Sequence, residues 1–160
     1  MLRIVKGNLL ESQEQYLCHQ CNCVTRWAAY IAGDIFQRFP WADVYLPRIP
    51  LGYKDKDEPG TIKISGDGQD QRFVVAMFAQ VYPGRSKTGY SNDVDSISSR
   101  ATYFKTCLNK MSKISMSSVA FPWRIGCDAA GGDWNFYMDM IVEFSDGAPF
   151  DVVIYKIPGI

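Results

Sequence analysis

Twice along this chain an apolar, strand-like run stops at a turn of small and polar residues and leads into an amphipathic helical pattern. The first is His19-Gln20-Cys21-Asn22-Cys23-Val24-Thr25, with helix periodicity from Arg26 onward. The second is the run 118–122, the turn Trp123-Arg124-Ile125-Gly126-Cys127-Asp128-Ala129-Ala130-Gly131-Gly132, and a helical pattern that Asp133 can cap. A strand that ends in such a turn and enters a helix aims main-chain N–H groups at an anion. Two of them in one chain point to a pyrophosphate cradle, placed where open α/β sheets bind ligands, at the carboxyl ends of strands.

The remaining pattern supports a sheet with helices on its faces. Leu2, Ile4 and Val5 open a strand closed by Gly7-Asn8, and 16–23 forms the second. Trp27, Ile31, Ile35 and Phe39 recur every four residues until Pro40, with Ala28, Ala32 and Phe36 beside them, which predicts a helix from Arg26. Residues 46–60, rich in Pro, Gly and charge, read as a surface loop. Strands 61–65 and 72–79 follow, joined in hairpin fashion by Gly66-Asp67-Gly68, and the polar loop 82–90 could act as a lid. A helix is predicted over 95–113, with Ile97, Ala101, Phe104, Leu108 and Met111 on one face. A last helix carries Trp134, Tyr137, Ile141 and Phe144, and a final strand spans 151–157. Alternating strands and helices predict one three-layer α/β/α domain over 1–160, with a mixed central sheet.

Charge narrows the ligand classes. Seventeen Lys and Arg balance 17 Asp and Glu, so no net field draws the chain to nucleic acid or an anionic membrane, and an anion must be held locally. Lys54, Lys56, Arg85 and Lys87 could form a local basic patch, though loop solvation accounts for them as well. No apolar run approaches the roughly 20 residues that span a bilayer. Five cysteines, an odd number, fit a reducing compartment, the cytoplasm or nucleus. Cys18, His19, Cys21 and Cys23 lack a second ligand pair downstream, which argues against zinc and for buried free thiols.

Two readings stand beside each candidate residue. Asn22 offers an amide to a sugar diol, or simply closes a turn. His19, the only histidine, suits general acid–base work, or packs in the core. Gly126, Gly131 and Gly132 allow positive φ and close approach of a ligand, or form a bare surface loop.

These segments resemble the macro domain family, whose members bind ADP-ribose. The resemblance runs from Val5-Lys6-Gly7-Asn8-Leu9-Leu10 through the His19 to Cys23 string to the turn 122–132, and is most similar to the ADP-ribose 1″-phosphate phosphatase branch. It implies a macro-domain-like fold and a monomeric hydrolase acting on ADP-ribose 1″-phosphate or ADP-ribosyl groups, without a cofactor or metal. The implied partners are ADP-ribose or a derivative, and an ADP-ribosylated protein. Asn8 is expected near the adenine, Asn22 at the distal ribose, and His19 as the catalytic residue. The implied ligand-lining set adds Thr25, Ala29, Tyr30, Ile31, Phe78, Ala79, Trp123, Arg124, Ile125, Gly126, Cys127, Ala129, Ala130, Gly131 and Gly132.

The chain departs from the family at Asn8, where most macro domains have Asp, and in three further places. Trp27-Ala28-Ala29-Tyr30 stands where the family has glycines, and Gly126-Cys127-Asp128-Ala129 where it has Gly-Cys-Gly-Leu. The Lys and Asp of the glutamate-hydrolase branch match the neighbourhood of Phe78 and Ala130, which disfavours that mechanism. Asp128 brings a carboxylate toward the phosphates, where it either repels them or serves as a repositioned acid or base. The alternative is a macro-like binding or interaction module that has lost catalysis.

Overall fold

The computed structural model describes residues 1–48, 57–86 and 93–157. Six strands among them form one sheet: β1 (Leu2–Lys6), β2 (Tyr16–Cys21), β3 (Ile62–Ser65), β4 (Phe73–Phe78), β5 (Ser118–Pro122) and β6 (Asp151–Lys156). Their order is β1-β6-β5-β2-β4-β3. All neighbours are parallel except the β3–β4 hairpin, so the sheet is mixed, as expected. Asp67 fixes that hairpin by accepting from the Gln69 and Gln71 N–H groups at 2.9 Å.

Three helices cover the two faces. On β2 the side chains alternate with the pleat. Leu17 and Cys21 join Val74, Ala76, Phe78 and Ala120 under α1 (Tyr30–Arg38). Tyr16 and Cys18 join Val75, Met77, Val119, Phe121, Val152 and Ile154 under α2 (Ile97–Met111) and α3 (Trp134–Asp146). The result is the three-layer α/β/α arrangement predicted from the sequence. Each fully buried Phe, Leu or Ile, such as Leu17, Ile35, Phe104 and Phe121, contributes about 1.5–3 kcal/mol.

Helix starts account for the differences from the expected elements. Asp133 caps α3 through the Asn135 N–H at 3.0 Å, as predicted. The helix α2 starts at Ile97 because Ser96 takes the Ser99 N–H at 3.0 Å, and Ile97 is exposed while Arg100 is buried on that helix. The helix expected from Arg26 begins only at Tyr30, since the preceding residues are drawn into a turn closed by Asn22 and Thr25. Trp27 is accordingly 72% exposed instead of lying on the buried stripe. Parts of the loops expected at 46–60 and 82–90, with Lys54, Lys56, Lys87 and Tyr90, lie outside the described residues.

Candidate functional site

Because five of the strands run parallel, their carboxyl ends share one edge of the sheet, and a cavity of about 970 Å³ opens there. Its lining follows the strand order. The β1 and β6 ends give Asn8, Leu9, Leu10, Tyr155 and Ile157. The turn after β5 gives residues 123–130, and the β2 and β4 ends give Gln20, Asn22 and Gln80. Thr25, Trp27 and residues 29–32 at the start of α1 form the facing wall.

The first turn is held from within. Asn22 Oδ1 accepts from the N–H groups of Val24 and Thr25 at 3.0 and 2.9 Å, and Nδ2 donates to Thr25 Oγ1 at 3.0 Å. Thr25 Oγ1 in turn donates to the Trp27 carbonyl at 2.9 Å. Asn22 therefore closes a turn, and its amide retains one unassigned Nδ2 hydrogen for a ligand. The chain then enters α1 without a side-chain cap: the N–H groups of Tyr30, Ile31 and Ala32 have no acceptor among the described residues. Tyr30 is left-handed at φ 55° and 77% exposed.

The second turn separates its amides into two sets. The Gly131 and Gly132 N–H groups bond the Asp128 and Gly126 carbonyls at 3.2 and 3.0 Å. Those of Gly126, Asp128, Ala129 and Ala130 have no acceptor among the described residues, and these four residues line the cavity. Gly131 and Gly132, expected to touch ligand, do not line it. A Cβ on Gly132 would come within 2.6 Å of the Gly126 carbonyl and 2.9 Å of the Tyr137 ring, so this glycine is required by the loop's own packing. Arg124, like Tyr30, is left-handed, at φ 61°. The two non-glycine residues in that region among those described thus flank one cavity, the place where backbone strain tends to collect.

Asp128 does not stand as a bare carboxylate. Its Oδ1 accepts from Arg124 Nε at 2.6 Å, and this pairing holds the Arg124 pKa above its ordinary value. Cys127 lines the cavity, but burial pushes its thiol up to about 12, so it stays protonated at neutral pH.

Other expected residues lie elsewhere. His19, the expected catalytic residue, has no solvent exposure and does not line the cavity, because the pleat turns it toward α1. Its ring packs edge-on against Phe36 and lies 3.5 Å from Cys21 Sγ, and burial lowers its pKa to about 3. Phe78 and Ala79 are core residues, also absent from the lining. Asn8 lines the cavity, with Oδ1 accepting the Leu10 N–H at 3.0 Å. All five cysteines are buried and none is in a disulfide, and no group of three metal-ligating side chains occurs among the described residues. No helix among those residues is long and apolar enough to cross a membrane.

Two buried arginines escaped the sequence reading. Arg48 donates to the Asn22 and Thr25 carbonyls at 2.8 and 2.9 Å and pairs with Asp57 at 2.7 Å, its guanidinium lying over the Tyr45 ring. Arg100 donates to the carbonyls of Tyr82, Gly84 and Ala130 at 3.0, 2.7 and 3.2 Å and pairs with Asp95 at 2.6 Å. Asp95 also receives the Val81 N–H at 2.7 Å. One guanidinium anchors the first turn, and the other ties the loop after β4 to the glycine turn. Their spacing from their partners carried no local signal.

No family model matches the chain, and no curated protein matches it. Solved structures do. The macrodomain of Thermus aquaticus DarG aligns with a TM-score of 0.73 at 21% identity, covering 98% of each chain. The macrodomain of Mycobacterium tuberculosis DarG gives 0.72 at 20% identity, over 98% of this chain and 97% of that one. Thermosipho africanus DarTG, solved in complex with ADP-ribose, gives 0.67 at 19% identity, over 98% of this chain and 43% of that one. At such identities the likeness speaks for the path of the backbone and not for individual side chains. The chain has the macrodomain fold.

Proposed function

We propose that the cavity binds ADP-ribose or a close derivative. The observation that carries this reading is the set of unpaired N–H groups at Gly126, Asp128, Ala129 and Ala130, opposite the uncapped start of α1. Together they form an anion site of the helix-terminus and nest type. Strand order supports a nucleotide laid across it. The β5 turn sits mid-sheet, with apolar Leu9, Leu10 and Ile157 toward the β1–β6 side and the amides of Gln20, Asn22 and Gln80 toward the β2–β4 side. A base suits the first, a diphosphate the middle and a sugar the last. The ADP-ribose in the Thermosipho africanus DarTG structure is in keeping with this. Titration calorimetry with ADP-ribose tests it: saturable heat is expected, and none at millimolar ligand overturns it.

Hydrolysis of an ADP-ribose derivative is a second reading, favoured by Asp128. Asp128 is one of the cavity-lining residues whose amides are unpaired, and its carboxylate is the group there that can take a proton from an attacking water while Arg124 steadies it. His19 is not placed to do so. An ADP-ribosylated protein fits as the source of substrate, since the exposed Trp27 and Tyr30 rings border the same cavity. Release of phosphate from ADP-ribose 1″-phosphate, or of ADP-ribose from a modified peptide, checks it. Binding without turnover of either leaves a binding module.

A further inference from the structure

We infer that Gln20, held by Gln80, accepts a hydrogen bond from the sugar that ADP-ribose carries beyond its two phosphates, which makes it a specificity-determining residue of the cavity. The inference rests on the ADP-ribose reading and names the side chain that separates ADP-ribose from ADP. The amide orientations follow from one carbonyl. The Tyr82 main-chain oxygen can only accept, so Gln80 must present Nε2 to it, at 2.8 Å. Gln80 Oε1 then faces Gln20 and can only accept, so Gln20 presents its own Nε2, also at 2.8 Å. The Gln20 oxygen is thereby turned away from both.

That oxygen is the one buried side-chain nitrogen or oxygen without a hydrogen-bond partner among the described residues. It lies against Gly126, where a Cβ would come within 2.7 Å of it, so glycine at this position leaves the oxygen uncrowded on the loop side. Both Gln20 and Gly126 line the cavity. Little bulk solvent reaches the atom, and a donor delivered through the cavity after a small shift of the amide or the loop recovers the bond that folding forfeits.

The chemistry of the missing partner is constrained. A lone acceptor takes an O–H or N–H and rejects a fully ionised phosphate. The adjacent N–H groups of Gly126 and 128–130 take the phosphates, so the donor beside them is a hydroxyl of the attached sugar. Asn22 complements this from the same strand end, because its oxygen is spent on the turn while one Nδ2 hydrogen remains. A donor from Asn22 and an acceptor from Gln20 match a vicinal diol.

Calorimetry on the full chain with two probes, ADP-ribose and ADP, tests the assignment. Gln20→Met, close in volume but without the acceptor, is expected to weaken ADP-ribose about tenfold and to leave ADP within twofold. Retained ADP binding shows that the variant is folded. Gln80→Leu, which frees the Gln20 amide to turn, is expected to give a smaller loss for ADP-ribose and none for ADP. Unchanged ADP-ribose affinity in Gln20→Met overturns the inference, and so does an equal loss for both ligands, which marks a packing role. A wild-type chain that binds ADP and ADP-ribose equally overturns it too while leaving nucleotide binding intact. Silence toward both ligands overturns the functional reading beneath it.

Discussion

Arg48 and Asn22, 26 positions apart, meet through two hydrogen bonds: Nη1 to the Asn22 Oδ1 at 3.3 Å and Nη2 to its main-chain carbonyl at 2.8 Å. Asn22 alone can close the turn, but the carbonyls it leaves pointing inward need a cation. Arg48 supplies it and is neutralised by Asp57. Replacing Arg48 with Met strands these acceptors and the partly buried carboxylate. A loss of about 3 kcal/mol in unfolding free energy is expected, toward the low end for a broken buried pair because Asp57 is 31% exposed. Urea denaturation measures it. A loss under about 1 kcal/mol means that the guanidinium is not holding the turn.

Tyr30 gives a cleaner test of backbone strain, since its exposed ring buries little. A side chain at φ 55° costs about 1–2 kcal/mol relative to glycine, partly offset by the greater freedom glycine has when unfolded. Tyr30→Gly is expected to be neutral or to stabilise by about 1 kcal/mol, while Tyr30→Val, branched at Cβ, destabilises by more than about 1 kcal/mol. Thermal melts of the pair check the sign. Equal melting temperatures for Gly and Val contradict the left-handed assignment.

How far these features were legible depended on the range of the interaction. Strand β5 and the Asp133 cap were read from adjacent residues and are present as expected. The start of α1 is not legible in the sequence because Trp27 and Ala28 continue the four-residue period, while the competing signal, Asn22 and Thr25 bonding forward into the turn, has no periodicity. The histidine in β2 faces the core by strand parity, which only the register against β4 and β5 settles. Arg48 and Arg100 look like ordinary solvated cations until the fold brings Asp57 and Asp95 beside them. Gln20 carried no signal of its own, since an orphaned acceptor appears only once every other partner is placed.

His19 links the core to pH. The folded pKa of about 3 lies below the ordinary value near 6.5, so between these limits the unfolded chain binds a proton that the native chain refuses. Stability therefore rises with pH through this window, is fully present above about 6.5, and falls on acidification by about 1.4 kcal/mol per unit. From pH 7.5 to pH 5 the wild type should lose about 2 kcal/mol by this route. His19→Leu should show a flatter dependence over that range while still binding ADP-ribose. An unaltered slope in urea titrations at the two pH values would mean that another group governs it.

In the proposed ADP-ribose site, the Arg124–Asp128 pair would set how much charge the phosphates meet. With Nε and Oδ1 at 2.6 Å the two cancel, and both are solvent-accessible, so the pair itself adds little to stability. Its members separate by mutation. Asp128→Asn leaves the guanidinium uncompensated beside the unpaired amides, whereas Arg124→Ala leaves the carboxylate. A unit charge about 4 Å from a phosphate is worth about 1 kcal/mol at the dielectric of water, which is about fivefold in affinity. Asp128→Asn is thus expected to tighten ADP-ribose about fivefold and Arg124→Ala to weaken it by as much. Both differences should shrink at high salt, because exposed charges are screened. Calorimetry at low and high ionic strength checks direction and salt dependence together. If the two variants shift affinity the same way, the pair acts by shaping the loop through the left-handed Arg124, and not through its charge.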